Sequence, residues 1–541
     1  MMSRQMRICG GVCLWTVLAV AAVRPEKPLV IVNCDNDHYF KAGPLADELP
    51  IGERFGEAGL RKYIDLIARG GRVTHVFMCA VGQRANYDSK ICDPIWMALD
   101  EAKERPDVAK SQDGQLSLGL EWPQNVKRFH DLGIDPYKVW IDYCRSSGKV
   151  EFWLSQRMND IHNSDMGWNI RTSRFWYDHP ELRRKDRIDP TWKDGSGWPD
   201  VAFDYSKPEV REYEFAVFRE LVDRYDADGF ELDFMRWWQN LSPRKGREQA
   251  PILTAFIARC RRYLDGLGKT RGHRIGLAAR CASSYEVARE LGMDVEAWAR
   301  EGLVDIVAVA NFFAAADFDC DLAGWKRRIA AANPRVKVVA SACDNIGCAG
   351  EAVTFTPEAV RGFADIAAQA GVDGLYFFNY AWFSRACRDV FRDEDLMALP
   401  PRGVRRYPCS YHDCTADDDA MKCRQLPVES GQAATLRLNV GSPAADGETV
   451  SVIVGYDKTV DAPRVALNGV PALAAEPAAS KPCGSALDIS TGSRFCYGKD
   501  VKCAFRCRFP SSALRAGHNE VSVSSVAGAR LVWAEIEIKG S

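Results

Sequence analysis

The sequence lacks an excess of charge of either sign. Its 541 residues carry 71 Lys and Arg against 73 Asp and Glu, a net charge of −2. That leaves no basic surplus or stripe of the kind nucleic-acid binding requires. Beyond residue 21 there is no apolar run approaching the ~20 residues that span a bilayer, so no stable membrane span is expected. There is no G-x-S-x-G elbow, no H-E-x-x-H and no P-loop, which argues against an α/β-hydrolase triad, a zincin and a P-loop nucleotide site. No Gly-rich turn follows the first β-rich run, which ends Asn33-Cys34-Asp35-Asn36-Asp37, so a dinucleotide fold is disfavoured. No cofactor is implied.

What is present is the balance of an ordinary folded protein, 47% hydrophobic and 27% charged, which excludes wholesale disorder. Fifteen Trp, 17 Tyr and 24 Phe offer flat rings, most of them for the core and some for stacking on sugars. Residues 1–21 read as a secretory signal peptide: Arg4 and Arg7, an apolar run from Ile8 to Val20, then Ala19-Val20-Ala21. A secreted or periplasmic location follows as an expectation. Removing Cys9 and Cys13 with the signal leaves 17 of the 19 cysteines, an odd number. Seven lie beyond residue 400 (Cys409, Cys414, Cys423, Cys483, Cys496, Cys503 and Cys507). That density predicts disulfides in an exported module. Cys503-x-x-x-Cys507 finds no further ligands for zinc.

From 24 to 400 the chain alternates β-rich runs with helical stretches. Eight strands are expected: Leu29–Asn33, Val73–Cys79, Val150–Ser155, Gly229–Phe234, Arg274–Ala279, Val304–Ala310, Val336–Ala340 and Gly374–Asn379. Near-continuous apolar strands separated by crossover-length segments predict a parallel sheet buried on both faces, and eight units suit a (β/α)8 TIM barrel. Ser206-Lys207-Pro208-Glu209 reads as a capping box opening a helix whose face is Val210, Tyr213, Val217, Leu221 and Tyr225. After a linker at 401–430, period-two strands take over: Ala434–Val440, Val450–Tyr456, Arg464–Leu467, Val521–Ser524 and Leu531–Ile538. They predict an all-β sandwich or jelly roll over 431–541. The stretch from Leu514 to Val521 resembles the last hairpin of galactose-binding-like sandwiches.

In such a barrel the chemistry sits at the C-terminal ends of the strands. Asp35 and Asp37 end the first strand, and Arg157, Asn159, Asp160 and His162 follow the third. Glu231 and Asp233 lie on the fourth, with Arg236, Trp237 and Trp238 after it. Arg280 ends the fifth, Asp344 the seventh, and Asn379, Tyr380 and Trp382 the eighth. Period two places Glu231 and Asp233 on one face and Phe230, Leu232 and Phe234 on the other, so both carboxylates are expected inside the barrel. Burying them there requires partners, for which Arg157 and Arg236 are candidates. Two carboxyls with separated pKa values are what glycosidic cleavage needs, one as acid and one as nucleophile or base. Asp233 is the candidate nucleophile or base, and Glu231, Asp160 or Asp344 the acid. Asp35, Asp37, Arg157, Asn159, His162, Arg236, Trp237, Asn379, Tyr380 and Trp382 are the candidate sugar-binding residues. The same groups can be read as a structural ion-pair network.

The segment from Asp204-Tyr205-Ser206-Lys207-Pro208-Glu209 through Tyr225-Asp226-Ala227-Asp228-Gly229-Phe230-Glu231-Leu232-Asp233 resembles the glycosyl-hydrolase-like family ten proteins, exported barrel proteins of bacteria regarded as glycoside hydrolases. Asp228, Gly229, Asp233 and Arg236 occupy that family's fourth-strand pattern. Gln83 to Lys90, Arg157 to His162 and Gly292 to Trp298 are similar to planctomycete-type proteins of the same group. The resemblance covers roughly 28–390 and implies a barrel glycosidase with Asp233 as a catalytic carboxylate, acting on a polysaccharide or oligosaccharide. It does not choose among Asp160, Glu231 and Asp344. Two other readings stay open at this point. One is a non-catalytic glycan-binding envelope protein on a barrel scaffold. The other is a metal-dependent hydrolase or deacetylase that assembles Asp35, Asp37, His38, Asp160 and His162.

Overall fold

A computed structural model describes residues 27–105, 115–162, 168–184, 201–311, 316–348, 351–410, 425–478 and 501–540. The signal-peptide segment and Cys414, Cys423, Cys483 and Cys496 lie outside the described residues. Eight parallel strands close into a barrel: β1 (Leu29–Cys34), β2 (His75–Val81), β3 (Glu151–Arg157), β4 (Gly229–Asp233), β5 (Gly276–Ala282), β6 (Ile306–Ala310), β7 (Lys337–Ala342) and β8 (Gly374–Phe377). β1 pairs with β8 on one side and β2 on the other, with Leu29 opposite Gly374 and Ile31 opposite His75. This is the (β/α)8 TIM barrel expected from the alternating pattern, and every expected strand overlaps one of the eight.

The barrel encloses a core of its own. Ile31, Phe77, Trp153, Ala278, Ile306, Ala308, Val339, Tyr376 and Phe378 fill the interior, separate from the apolar layer between strands and helices. Near the N-terminal end the Trp153 indole stacks on Phe77, with centroids 4.9 Å apart and planes 8° from parallel. It also lies over Gly229 and Gly276, where a Cβ at either would overlap the ring. Glycine at both positions is what lets one indole close the floor of the barrel, leaving the polar end of the lumen at the C-terminal face.

The helix after β3 spans Pro208–Arg224, and Val210, Val217 and Leu221 are buried as their spacing predicts. Its start differs from the expected capping box. Lys207 is the N-cap and no side chain caps the helix, because the Ser206 hydroxyl is engaged by Ser242 instead (3.0 Å). Proline at N1 sets the entry, since the N–H it lacks has no partner within a helix's first turn.

The C-terminal region is all-β. One sheet has five strands, β9 (Arg405–Pro408), β11 (Glu448–Tyr456), β14 (Ala474–Pro477), β15 (Cys503–Phe509) and β17 (Leu531–Gly540). The other has four, β10 (Ala434–Val440), β12 (Val465–Leu467), β13 (Val470–Pro471) and β16 (Gly517–Val523). One expected boundary changes here. Residues 401–430 are not a linker throughout, because β9 pairs with β17 as an edge of the larger sheet. The segment that carries Cys503 and Cys507 is a strand, and no two described cysteines are joined. Four residues apart on one extended strand, about 13 Å, these two cannot reach each other for an S–S bond.

The two regions meet through polar contacts. Asp365, on the helix Pro357–Gln369 that precedes β8, accepts from the Ser442 backbone N–H (2.7 Å), the Ser442 hydroxyl (2.6 Å) and the Tyr407 hydroxyl. The loop after β6 takes part too. The Phe318 N–H donates to Ser410 (2.8 Å), and Asp319 is held by Arg437 and His518. Among the described residues no helix is long and apolar enough to cross a membrane.

Candidate active site

Glu231 and Asp233 both project into the lumen, as the period-two reading requires. Asp233 forms a salt bridge with Arg280, whose Nη1 lies 3.1 Å from each carboxylate oxygen, and its Oδ1 also accepts the Met235 N–H (2.9 Å). The barrel register sets this pair, since Asp233 lies directly opposite Arg280 on β5. Glu231 sits one layer deeper. It accepts from the Ser155 hydroxyl (2.6 Å) and the Tyr376 hydroxyl (2.8 Å). Burial, and then the neighbouring Asp233 carboxylate, push the Glu231 carboxyl up to about 7.

Arg157 is not the partner of the β4 carboxylates. It reaches Asp35 and Asp160 instead, closing one buried network across the ends of β1 and β3. Burial alone would raise the Asp160 carboxyl, but His162 and Arg157 hold it well below the usual carboxylate range. Burial pushes His162 down to about 3, so its imidazole is neutral at neutral pH. Its Nδ1 lies 2.6 Å from Asp160 and its Nε2 2.7 Å from Arg236 Nη2. A proton on Nδ1 satisfies both contacts, donating to the carboxylate and leaving Nε2 to accept from the guanidinium. Arg236 Nη2 also lies 3.9 Å from Asp35. Asp160 is therefore held ionised, the wrong state for a general acid.

Asp344 has the opposite character. It lies just past β7, half-buried, accepting from Asn345 Nδ2 (2.8 Å), Asn379 Nδ2 (3.2 Å) and the Cys343 thiol (2.9 Å). Burial raises its pKa despite those donors. Asn379 holds the left-handed conformation at φ 61°, which asparagine tolerates better than most residues.

Three sequence candidates are corrected by their surroundings. Trp237 is fully buried with its φ at 88°, edge-on to His162 at 4.3 Å, and presents no face to a sugar. Asn159 spends its amide on the backbone, donating to the Phe203 and Gln239 carbonyls and accepting the Phe203 N–H. Tyr380, 1% exposed, packs against Phe391 behind the lumen wall. Trp382 remains half-buried at the rim, near His38 with ring centroids 5.9 Å apart. Arg280, Ser155, Tyr376 and Asn33 also line the lumen, though the sequence analysis assigns none of them a role. Asn33 is 1% exposed on the lumen side of β1, and neither atom of its amide has a protein partner.

Asp35, Asp37 and His38 come close enough for one atom of each to lie within 4.8 Å of the others. Their carboxylates are already engaged by cations, Asp35 by Arg157 and Asp37 by Lys41 (2.7 Å) and Arg171 (2.8 Å). This donor set does not fit a dication, whose charge those side chains supply.

Beneath Arg157 and Asp160 a small cavity runs out to the helix Pro208–Arg224, bordered by Gln83, Asn159, Phe203 and Glu214. Glu214 accepts from Gln156 Nε2 (2.9 Å), and burial pushes it up to about 8. Its ordinary value is 4.5, so between those two pH values the folded state binds a proton that the unfolded state has released. The contribution of Glu214 to stability therefore falls as pH rises from about 4.5 to about 8. Glu214→Gln is expected to remove this dependence: matching wild type below pH 4.5 and unfolding at higher temperature than wild type at pH 9, by thermal melts across that range.

No family model matches the sequence, and no curated protein sequence matches it either. Among solved structures, similarity is found to a family GH18 chitinase from Chromobacterium violaceum, at 11% identity and a TM-score of 0.36. That match covers 93% of this chain and 89% of that one. A GH27 β-L-arabinopyranosidase from Geobacillus stearothermophilus is similar at 11% identity and a TM-score of 0.33, covering 95% and 98%. The multi-modular chitinase ChiW from Paenibacillus sp. is similar at 12% identity and a TM-score of 0.38, covering 92% of this chain and 52% of that one. The chain thus spans about half of ChiW, and 57% of a Paenibacillus cycloisomaltooligosaccharide glucanotransferase that is 9% identical with a TM-score of 0.33. These are similarities of fold.

Proposed function

We propose that the chain is an exported glycoside hydrolase that cleaves a polysaccharide or oligosaccharide at the C-terminal mouth of the barrel, with Asp233 as nucleophile or general base and Asp344 as general acid. The fourth-strand pattern supports placing it with the glycosyl-hydrolase-like family ten proteins. The observation that carries the reading is the contrast between two mouth carboxyls. Asp233 is ion-paired with Arg280, whereas Asp344 is half-buried and biased toward its protonated form by burial. Arg236 is close enough to influence Asp344 electrostatically and is itself influenced by Asp233. Such a pair supplies the proton for the leaving oxygen and the negative charge that attacks the anomeric carbon or activates water. Glu231 is the weaker acid candidate, because it lies a layer below Asp233 with its oxygens committed to Ser155 and Tyr376.

The test is reducing-sugar release from bacterial, algal and plant polysaccharides, with and without chelator. Release that ignores chelator is expected. Asp344→Asn is expected to cost about two to three orders of magnitude on polysaccharide and far less on aryl glycosides, whose leaving groups need no proton. Equal losses on both would remove Asp344 from the acid role. Glycan binding with no release from any substrate would favour the non-catalytic scaffold.

A further inference from the structure

The rim beside Trp382 carries more positive charge than the buried network below it. Asp35 and Asp160 are shared by Arg157 and Arg236, and Asp233 is matched by Arg280. Asp37 is different. Its Oδ2 alone takes both Lys41 Nζ (2.7 Å) and Arg171 Nη2 (2.8 Å), two cations on one carboxylate. Their side chains are 22% and 20% exposed, against 9% for Asp37, so the cations face outward and the anion does not. Glu121 is a second described carboxylate of this corner, accepting the Ala42 N–H at 3.1 Å. It is balanced by Arg54, a buried guanidinium in the same loop whose hydrogen bonds all go to carbonyls: those of His38, Tyr39, Lys41, Pro44 and Leu49. Among the described residues of this corner one positive charge is left over, beside the loop that also carries His38 and Gly43 against the Trp382 indole.

We infer that the substrate is an acidic glycan, and that Lys41 and Arg171 receive a carboxylate or sulfate on one of its sugar units while Trp382 packs against the ring beside it. An ammonium has three N–H donors and a guanidinium five, so Lys41 and Arg171 each keep donors beyond the one that Asp37 takes. These form charge-assisted hydrogen bonds to either anion, while an indole at the rim adds the apolar contact a pyranose face prefers. Asp37 fixes the two cations in place before substrate arrives, so little side-chain entropy is lost on binding. The inference deepens the glycosidase reading but rests on it only for turnover, not for binding.

Calorimetric titration of the full chain with oligogalacturonate, a sulfated carrageenan oligosaccharide and cellopentaose separates these outcomes. At least one acidic oligosaccharide is expected to bind about tenfold or more tightly than the neutral one, and which of the two does so identifies the anion. Its affinity is expected to fall as NaCl is raised from 50 to 500 mM, a readout that needs no variant. Lys41→Met and Arg171→Met are each expected to weaken it about tenfold, the loss of one charge-assisted bond, while Lys41→Arg restores it. Equal affinity for acidic and neutral chains, insensitivity to salt, or Met variants that bind like wild type would overturn the inference. Hydrolysis confined to neutral glycans would overturn it while leaving the glycosidase reading intact. Salt-sensitive acidic binding without turnover of any glycan would support it and sink the glycosidase reading instead.

Discussion

Replacing Asp233 by Asn is expected to lower glycan hydrolysis by about four orders of magnitude and to destabilise the barrel at the same time. The first effect follows from removing the negative charge that attacks or activates water. The second follows from Arg280, 2% exposed with its guanidinium 3.8 Å from the centroid of the Phe378 ring. Without Asp233 its charge is buried and unpaired, a condition that costs about 3–5 kcal/mol. The two losses separate in the double variant Asp233→Asn/Arg280→Met, in which urea unfolding returns most of the way to wild type while hydrolysis stays at the level of Asp233→Asn. Activity of Asp233→Asn within tenfold of wild type would take Asp233 out of the mechanism.

The second large effect is structural. Arg388, on the helix Arg385–Asp393 after β8, donates to Glu48 (2.7 Å), to both oxygens of Asp47 (2.6 and 2.8 Å) and to the Phe383 carbonyl. Glu48 is bound in turn by Arg392 at 3.0 Å, and the side chains of Glu48, Arg388 and Arg392 are 3%, 2% and 0% exposed. This cluster ties the loop after β1 to the segment after β8. Arg388→Ala is expected to cost about 3–5 kcal/mol, because it leaves a buried carboxylate short of one cation. Arg388→Met combined with Glu48→Gln should recover part of that loss in the same urea experiment. A single-variant loss below 1 kcal/mol would show that the cluster is solvated in solution.

The barrel was readable because its strands are buried on both faces, which writes short apolar runs such as Leu29–Asn33 and Val304–Ala310 directly into the sequence. The strand Cys503–Phe509 was missed for a local reason. Its inward residues Phe505, Cys507 and Phe509 alternate with Ala504, Arg506 and Arg508, but cysteines and arginines dilute the apolar period-two signal. In the site, period two was enough to turn Glu231 and Asp233 inward. It could not say that Arg280, and not Arg157, would face Asp233, because that depends on which residues the β4–β5 register sets opposite each other. Nor could it show Arg171 meeting Asp37 across 134 residues of chain. Trp237 looked available beside Arg236 until its positive φ turned the ring inward.

Because β1 takes its second partner from β8, with Leu29 opposite Gly374, one side of the first strand has nothing to pair with until nearly the whole barrel sequence exists. At ~5–20 residues per second of synthesis, that wait is roughly 17–70 s. Throughout it, an apolar strand with a bare hydrogen-bonding edge is a template for pairing with other chains. Yield of soluble protein should therefore depend on how quickly the second half of the barrel follows the first, and slow synthesis or a stalled chain ending before residue 374 should aggregate through β1.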